Sequence, residues 1–121
     1  MLLDSDRNRI LHMVESAPQA MSFVLARRRA DLDTDVQLRL ALLRALEIVG
    51  EAASRVSPAM CAAHPEIPWR LAVSTRNRLI HAYFDVNLDI VWTTTTQALP
   101  DLVPKLEAIL EHEGPEGLHL R

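Results

Sequence analysis

Five side chains that can bind phosphate or transfer protons stand within positions 76–83, in an otherwise apolar segment. They are Arg76, Asn77, Arg78, His81 and Tyr83. Arginine offers a rigid fork of N–H donors that matches phosphate oxygens, and the ordinary pKa of histidine lies near neutral pH. An arginine and a histidine in one short segment therefore indicate phosphodiester chemistry that needs no metal ion.

The rest of the chain offers few other ways to hold a phosphate or a metal ion. Glycine occurs only three times, so there is no glycine-rich phosphate loop. The single cysteine, Cys61, excludes an intramolecular disulfide and a cysteine-rich zinc site. The other histidines lack metal-ligand spacing with acidic or thiol partners, and we expect no metal site and no cofactor.

Composition favours one helical domain. The chain has 121 residues, 49% of them hydrophobic and only 4% aromatic, and it is rich in Leu, Ala, Arg and Glu. A formal net charge of −3 argues against a broad basic face that coats nucleic acid, but it permits a local basic cleft. No N-terminal segment combines a basic start with a long apolar stretch, so we expect a cytoplasmic protein that does not enter a membrane.

Proline and helix-capping residues divide the chain into four main helices and shorter ones. We predict an all-α antiparallel helical bundle in a single domain over 1–112, followed by a flexible tail over 113–121. The first helix begins at Asp4 or Ser5, kinks or restarts at Pro18, and buries Leu25. The arginine run 27–29 marks its end, with an RNA-contacting patch as the alternative.

The later helices follow from similar signals. Thr34 is predicted to cap a long helix from 36 to about 55, and Ser57 a short helix through Ala63. A last element runs from 88 toward 111, and we expect Pro100 and Pro104 to bend or split it. The four threonines over 93–96 either line a polar groove or face solvent.

The motif lies on a helix predicted over 69–83, which takes Leu71 into the core. At about 100° per residue, Arg76 and His81 diverge by about 140° around its axis, so a second copy of this helix would complete a cleft more readily. We therefore expect a homodimer with a composite site. Gly50 and its alanine neighbours allow close packing on the 36–55 helix, and we expect Glu51 to be exposed, with a buried acceptor for an arginine as the alternative.

The spacing of Arg76, His81 and Tyr83 resembles the motif of HEPN-type ribonucleases. In its extended form, Arg-Asn followed by Leu-Ile-His-x-Tyr-Phe, it resembles the HepT-like toxins of HepT/MntA modules. Further blocks resemble that family in the same order, at 48–53, 65–69 and 89–92, followed by Leu99-Pro100. The resemblance covers nearly the whole chain.

This resemblance implies a helical-bundle homodimer that cuts RNA without a metal ion, as the toxin of a type VII-like toxin–antitoxin module. It also implies an antitoxin partner, a MntA-like nucleotidyltransferase. Carried over by position, Arg76 and His81 are the catalytic pair, Asn77 is the polar residue beside them, and Tyr83 is the tyrosine that the antitoxin adenylylates. We assign Arg78 to substrate binding.

The side chains themselves are suited to this reaction. RNA cleavage needs a base for the ribose 2′-hydroxyl, an acid for the leaving 5′-oxygen, and positive charge at the phosphate. His81 can serve as base or acid, Arg76 can hold the non-bridging oxygens, and Asn77 can orient either group. Two alternatives remain: an adaptor that binds nucleotide or RNA without cutting it and works with a nucleotidyltransferase, and a structural dimer that only engages such a partner.

Overall fold

The structure is a computed structural model, and it describes residues 4–81 and 87–113, with 78–81 and 113 described by their backbone alone. The described residues form helices and connecting loops, which confirms the all-α prediction. The helices are α1 (Asp4–Phe23), α2 (Asp31–Thr34), α3 (Val36–Ser54), α4 (Pro58–Ala63), α5 (Trp69–His81), α6 (Leu88–Thr93) and α7 (Leu99–Glu113). A π-helical turn over Thr94–Ala98 joins α6 to α7.

The central element is α3. It packs against α1 and α5, and α1 packs in turn against α7. Its apolar side chains recur at helical spacing, and the predicted stripe is buried as expected: Leu38, Leu42, Ala45, Leu46, Val49, Ala52 and Ala53. Helix α5, which carries the candidate motif, therefore rests on the central helix of the bundle.

Two leucines assigned to the core are exposed instead. Leu25 is 74% exposed, because α1 already ends at Phe23 and Ala26 reverses the chain with a φ of 61°. Leu71 is 57% exposed, because α5 turns the face of Ala72 and Arg76 toward α3, and Leu71 lies about 100° away from that face.

Helix α1 runs unbroken through Pro18, so a fresh start there is wrong. Pro18 is exposed. Its ring therefore meets solvent, and the missing hydrogen bond is the one that the carbonyl of Val14 would have accepted.

The arginine run also lies beyond the end of α1, so it does not complement that helix's dipole. Arg27 pairs with Asp35 at 3.0 Å, and Arg29 pairs with Asp33 at 3.2 Å and with Asp89 at 2.6 Å. The run therefore ties the α1–α2 loop to the starts of α3 and α6.

The caps agree with prediction at α4 and differ at α3. Helix α3 is capped by Asp35, whose Oδ1 accepts from the backbone N–H of Leu38 at 3.0 Å. Thr34 cannot be the cap, because it closes α2. Helix α4 has Ser57 at its N-cap as predicted, and the buried carboxylate of Asp6 accepts from the Ser57 backbone N–H at 2.8 Å and from its hydroxyl at 2.7 Å. This pair joins the start of α1 to the start of α4.

The predicted split of the last element is wrong, because its backbone stays helical from Leu88 to Glu113 and only its hydrogen bonding changes, to a π-helical turn over Thr94–Ala98 just before Pro100. The backbone N–H of Leu99 donates to the carbonyl of Thr94, five residues earlier. The hydroxyls of Thr95 and Thr96 donate hydrogen bonds to the backbone carbonyls of Val91 and Trp92, at 2.9 and 2.8 Å respectively. Helix α7 then continues through Pro104. The hydroxyls of Thr95 and Thr96 thus satisfy helical carbonyls of their own element.

Of the remaining predictions, Tyr83 and the tail from 114 onward lie outside the described residues. None of the described helices is both long enough and apolar enough to cross a membrane.

Candidate functional site

Gly50 sets how closely α5 approaches α3. A Cβ placed on Gly50 would lie 2.1 Å from the Cβ of Arg76 and 2.9 Å from the carbonyl oxygen of Ala72. Both distances are shorter than an ordinary van der Waals contact. Glycine at this position therefore lets α5 pack directly on α3, with the stem of Arg76 over it, which confirms close packing of a neighbouring helix here.

The guanidinium of Arg76 is held from two sides. Its Nη2 donates to Glu51 Oε1 at 2.5 Å, and its Nη1 donates to Asn77 Oδ1 at 2.8 Å. The Arg76 side chain remains 29% exposed. The structure thus brings two of the predicted site residues together and presents one of them as an oriented, accessible cation.

Glu51 is partly exposed, but it is also an acceptor for arginine, which the favoured expectation did not include. Its second oxygen, Oε2, accepts from Arg55 Nε at 2.7 Å. The hydrogen bond from Arg55 lowers the pKa of Glu51 most, and the positive charge of Arg76 lowers it further. The carboxylate therefore stays ionised at neutral pH and binds one guanidinium with each of its two oxygens.

Two grooves lie beside Arg76 and Asn77. The first, here called the arginine cleft, has a volume of about 370 Å³ and is lined in part by Arg76. It is lined by Arg9, His12, Arg44, Glu47, Ile48, Glu51, Ala52, Arg55 and Arg76.

The second groove is more apolar, has a volume of about 760 Å³, and includes Val56, Trp69, Val73 and Asn77. Cys61 also lines it, and burial raises the pKa of its thiol, so this thiol is protonated at neutral pH. Arg76 and Asn77, adjacent on α5, therefore open onto different grooves.

The structure describes less of the other predicted site residues, Arg78, His81 and Tyr83. Helix α5 remains α-helical through His81, so the Cα atoms of Arg76 and His81 lie about 7.5 Å apart along the axis and about 140° apart around it. The side chains of Arg78 and His81, and all of Tyr83, lie outside what the structure describes.

Sequence reasoning missed Arg55 altogether as part of this site. The signal was present, since Glu51 and Arg55 stand four residues apart on one helix face, a spacing that favours an ion pair. For metal ions, no three His, Cys, Asp or Glu come together as possible ligands among the side chains that the structure describes, at 4–77 and 87–112.

Comparisons with known proteins agree on one family. The profile of the family described as "Ribonuclease HepT-like" matches residues 7–109. A protein of Thermococcus cleftensis named "Probable ribonuclease HepT" is 40% identical over 79 residues, which cover 65% of this chain and 72% of that protein. A protein of Caldanaerobacter subterraneus subsp. tengcongensis named "Putative RNase" is 36% identical over 83 residues, covering 69% and 74% of the two chains. No solved structure matches the chain.

Proposed function

The chain belongs to the HepT-like ribonuclease family, and on that premise we propose that it is a metal-independent endoribonuclease in which Arg76 and His81 form the active site. The observation that carries this proposal is the Arg76 guanidinium, which is held by Glu51 and Asn77 while it remains accessible from the arginine cleft. An oriented guanidinium of this kind is suited to the charge that develops on a phosphate during cleavage.

The proposed reaction is a transesterification within the RNA strand. His81, acting as base, takes the proton of the ribose 2′-hydroxyl, and the 2′-oxygen forms a bond to phosphorus as the bond from phosphorus to the 5′-oxygen breaks. A second protonating group gives a proton to the departing 5′-oxygen. The products are a 2′,3′-cyclic phosphate and a 5′-hydroxyl, with no water consumed. Arg76 holds the non-bridging oxygens, while Asn77 and Arg78 position the strand.

We further propose that the site is shared between the two subunits of a homodimer. The angle of about 140° between Arg76 and His81 on a regular α5 argues against both residues facing one phosphate within a single subunit. With a twofold axis, Arg76 of one subunit would work with His81 of the partner subunit.

The remaining part of the proposal is regulation by adenylylation. As the toxin of a toxin–antitoxin pair, the chain would be modified by a MntA-like nucleotidyltransferase. The Tyr83 phenol oxygen would attack the α-phosphorus of ATP and release pyrophosphate. The added nucleotide is bulky and anionic, so it would occupy the cleft and repel substrate phosphates. Tyr83→Phe should abolish incorporation of labelled AMP and keep RNA cleavage, and incorporation that persists would overturn this assignment.

Subunit mixing tests the catalytic proposal. His81→Ala should lose at least about 100-fold in chelator-resistant RNA cleavage, the usual contribution of one acid or base. Arg76→Ala should lose at least about 100-fold as well, the usual contribution of one donor to the charge that develops in the transition state. If the site is shared, refolding an equal mixture should recover about a quarter of wild-type activity, because half of the dimers then contain one intact site. Arg28→Ala, which removes an arginine far from α5 in the sequence, is the control.

The outcomes separate the alternatives. Loss of activity in both variants without recovery on mixing would refute the shared site and retain the ribonuclease. Binding of RNA by the wild type without any cleavage would favour the adaptor that works with a nucleotidyltransferase. Full activity in His81→Ala would refute the catalytic assignment.

A further inference from the structure

The arginine cleft extends well beyond Arg76. Five of its lining residues lie on α3, at positions 44, 47, 48, 51 and 52, and Arg55 follows directly after the end of that helix. Positions 44, 48 and 51 are separated by three or four residues and so share one helix face. Arg9 and His12, three residues apart on α1, form the opposite wall. From Arg44 to Arg55 this face is about 16 Å long, at about 1.5 Å per residue. It is therefore long enough for more than one phosphate group of a nucleic-acid strand.

The charge of the cleft is opposite to that of the chain. Four guanidiniums line it against two carboxylates, whereas the formal net charge of the whole chain is −3. Glu51 is already engaged by Arg55 and Arg76, and Glu47 is 3.8 Å from Arg44, at the outer limit of an ion pair. Among the residues that the structure describes, no hydrogen bond or ion pair engages Arg9 or His12. Arg9 is thus a cation of the cleft that is available to a ligand.

We propose that the arginine cleft binds phosphates of the RNA strand next to the phosphate that Arg76 holds, with Arg9 and Arg44 as the contacting residues. The substrate class is then an oligonucleotide that extends past the cleavage point, rather than a dinucleotide. This inference rests on the proposed function, since it places the scissile phosphate at Arg76. The cleft supplies backbone contacts, which strengthen binding without reading sequence.

Binding is measured with an uncleavable ligand, a fluorescent 2′-O-methyl oligonucleotide of about ten nucleotides. At low salt, Arg44→Ala and Arg9→Ala should each weaken binding by about tenfold. The slope of log affinity against log salt concentration should become shallower by about 0.7 for each phosphate that the variant no longer neutralises. Glu47→Gln should strengthen binding, because it removes a carboxylate from the same wall.

Arg28→Ala is the matched control. It changes the net charge as Arg44→Ala does, but it lies on the α1–α2 loop, and its side chain does not line the cleft. Arg44 is 74% exposed, so its truncation should leave the fold intact, and the melting temperature verifies this. Equal weakening by Arg28→Ala and Arg44→Ala would show a net-charge effect only and would overturn the inference. Wild-type affinity in Arg9→Ala and Arg44→Ala would overturn it as well.

Cleavage kinetics keep this inference separate from the proposed function. The wild type should cleave an oligonucleotide with a higher kcat/KM than a dinucleotide, and this preference should shrink about tenfold in Arg44→Ala. If the wild type cleaves no RNA, the proposed function fails. If it cleaves and Arg44→Ala keeps the full preference, only the cleft assignment fails.

Discussion

Gly50→Ala should separate α5 from α3 and displace Arg76. In a helix interior, replacing glycine by alanine normally stabilises by about 1 kcal/mol. Here the new methyl group would meet the Cβ of Arg76 at 2.1 Å and the carbonyl oxygen of Ala72 at 2.9 Å. Carbon atoms in contact lie about 3.5–4.0 Å apart, so α5 must shift by more than 1 Å. Overpacking of this kind costs about 1–3 kcal/mol, and the 2.1 Å approach places Gly50→Ala in the upper part of that range, at about 2–3 kcal/mol. After the gain of about 1 kcal/mol from replacing glycine, we expect a net loss of about 1–2 kcal/mol.

The assay is thermal and denaturant unfolding, together with a double-mutant cycle. A loss of about 1–2 kcal/mol corresponds to a melting temperature lower by roughly 4–8 °C for a domain of this size. In an Arg76→Gly background the Cβ of residue 76 is absent, so Gly50→Ala should cost less there or become stabilising. Stabilisation by about 1 kcal/mol in the wild-type background would refute the close approach of α5 to α3.

Further predictions concern contacts that hold the helices together and the pairing of Glu51 with Arg55 and Arg76. Asp6→Ala should lower the free energy of unfolding by about 2–3 kcal/mol, because the partly buried N–H and hydroxyl of Ser57 lose the carboxylate that accepts from both. Asp4→Ala, at the exposed start of α1, should have little effect in the same denaturant titration. Trp69→Phe keeps a buried aromatic ring but loses the 3.0 Å hydrogen bond from its Nε1 to the His64 carbonyl, and should cost about 1 kcal/mol by the same measurement. The folded-state pKa of Glu51 lies below its ordinary value of 4.5. The free energy of unfolding of the wild type should therefore exceed that of Glu51→Gln by a constant amount above pH 4.5, and this difference should decline as the pH falls through the lowered pKa. A difference that grows on acidification would contradict the pairing of Glu51 with Arg55 and Arg76.

Much of the fold could be predicted because its signals are local. The stripe from Leu38 to Ala53 recurs at helical spacing, and Ser57-Pro58 is a typical helix start, so α3 and α4 followed from the sequence. The end of α1 could not be located in the same way. Three arginines suit a helix end and a loop equally well, and one partner of the run, Asp89, is 60 residues from Arg29.

The candidate site shows the same limit. The choice of Arg76 and Asn77 came from residue types and spacing, and the structure places the two in contact. The acceptor role of Glu51 depends on a partner 25 residues away, which only the packing of α5 on α3 brings near. The roles of His81, Arg78 and Tyr83 stay predictions, because the structure does not describe their side chains. The homodimer also stays a prediction.

The most direct measurement is cleavage of a defined RNA by the wild type in the presence of a chelator, with the product ends identified. The same RNA is compared with a version that carries a single 2′-deoxy nucleotide on the 5′ side of the cleaved bond. We expect 2′,3′-cyclic phosphate and 5′-hydroxyl ends from the first RNA, and no cleavage at that bond in the second, because the attacking 2′-hydroxyl is missing. Cleavage that persists at the 2′-deoxy position, or that stops with the chelator and leaves 5′-phosphate ends, would contradict attack by the 2′-hydroxyl at a metal-free site.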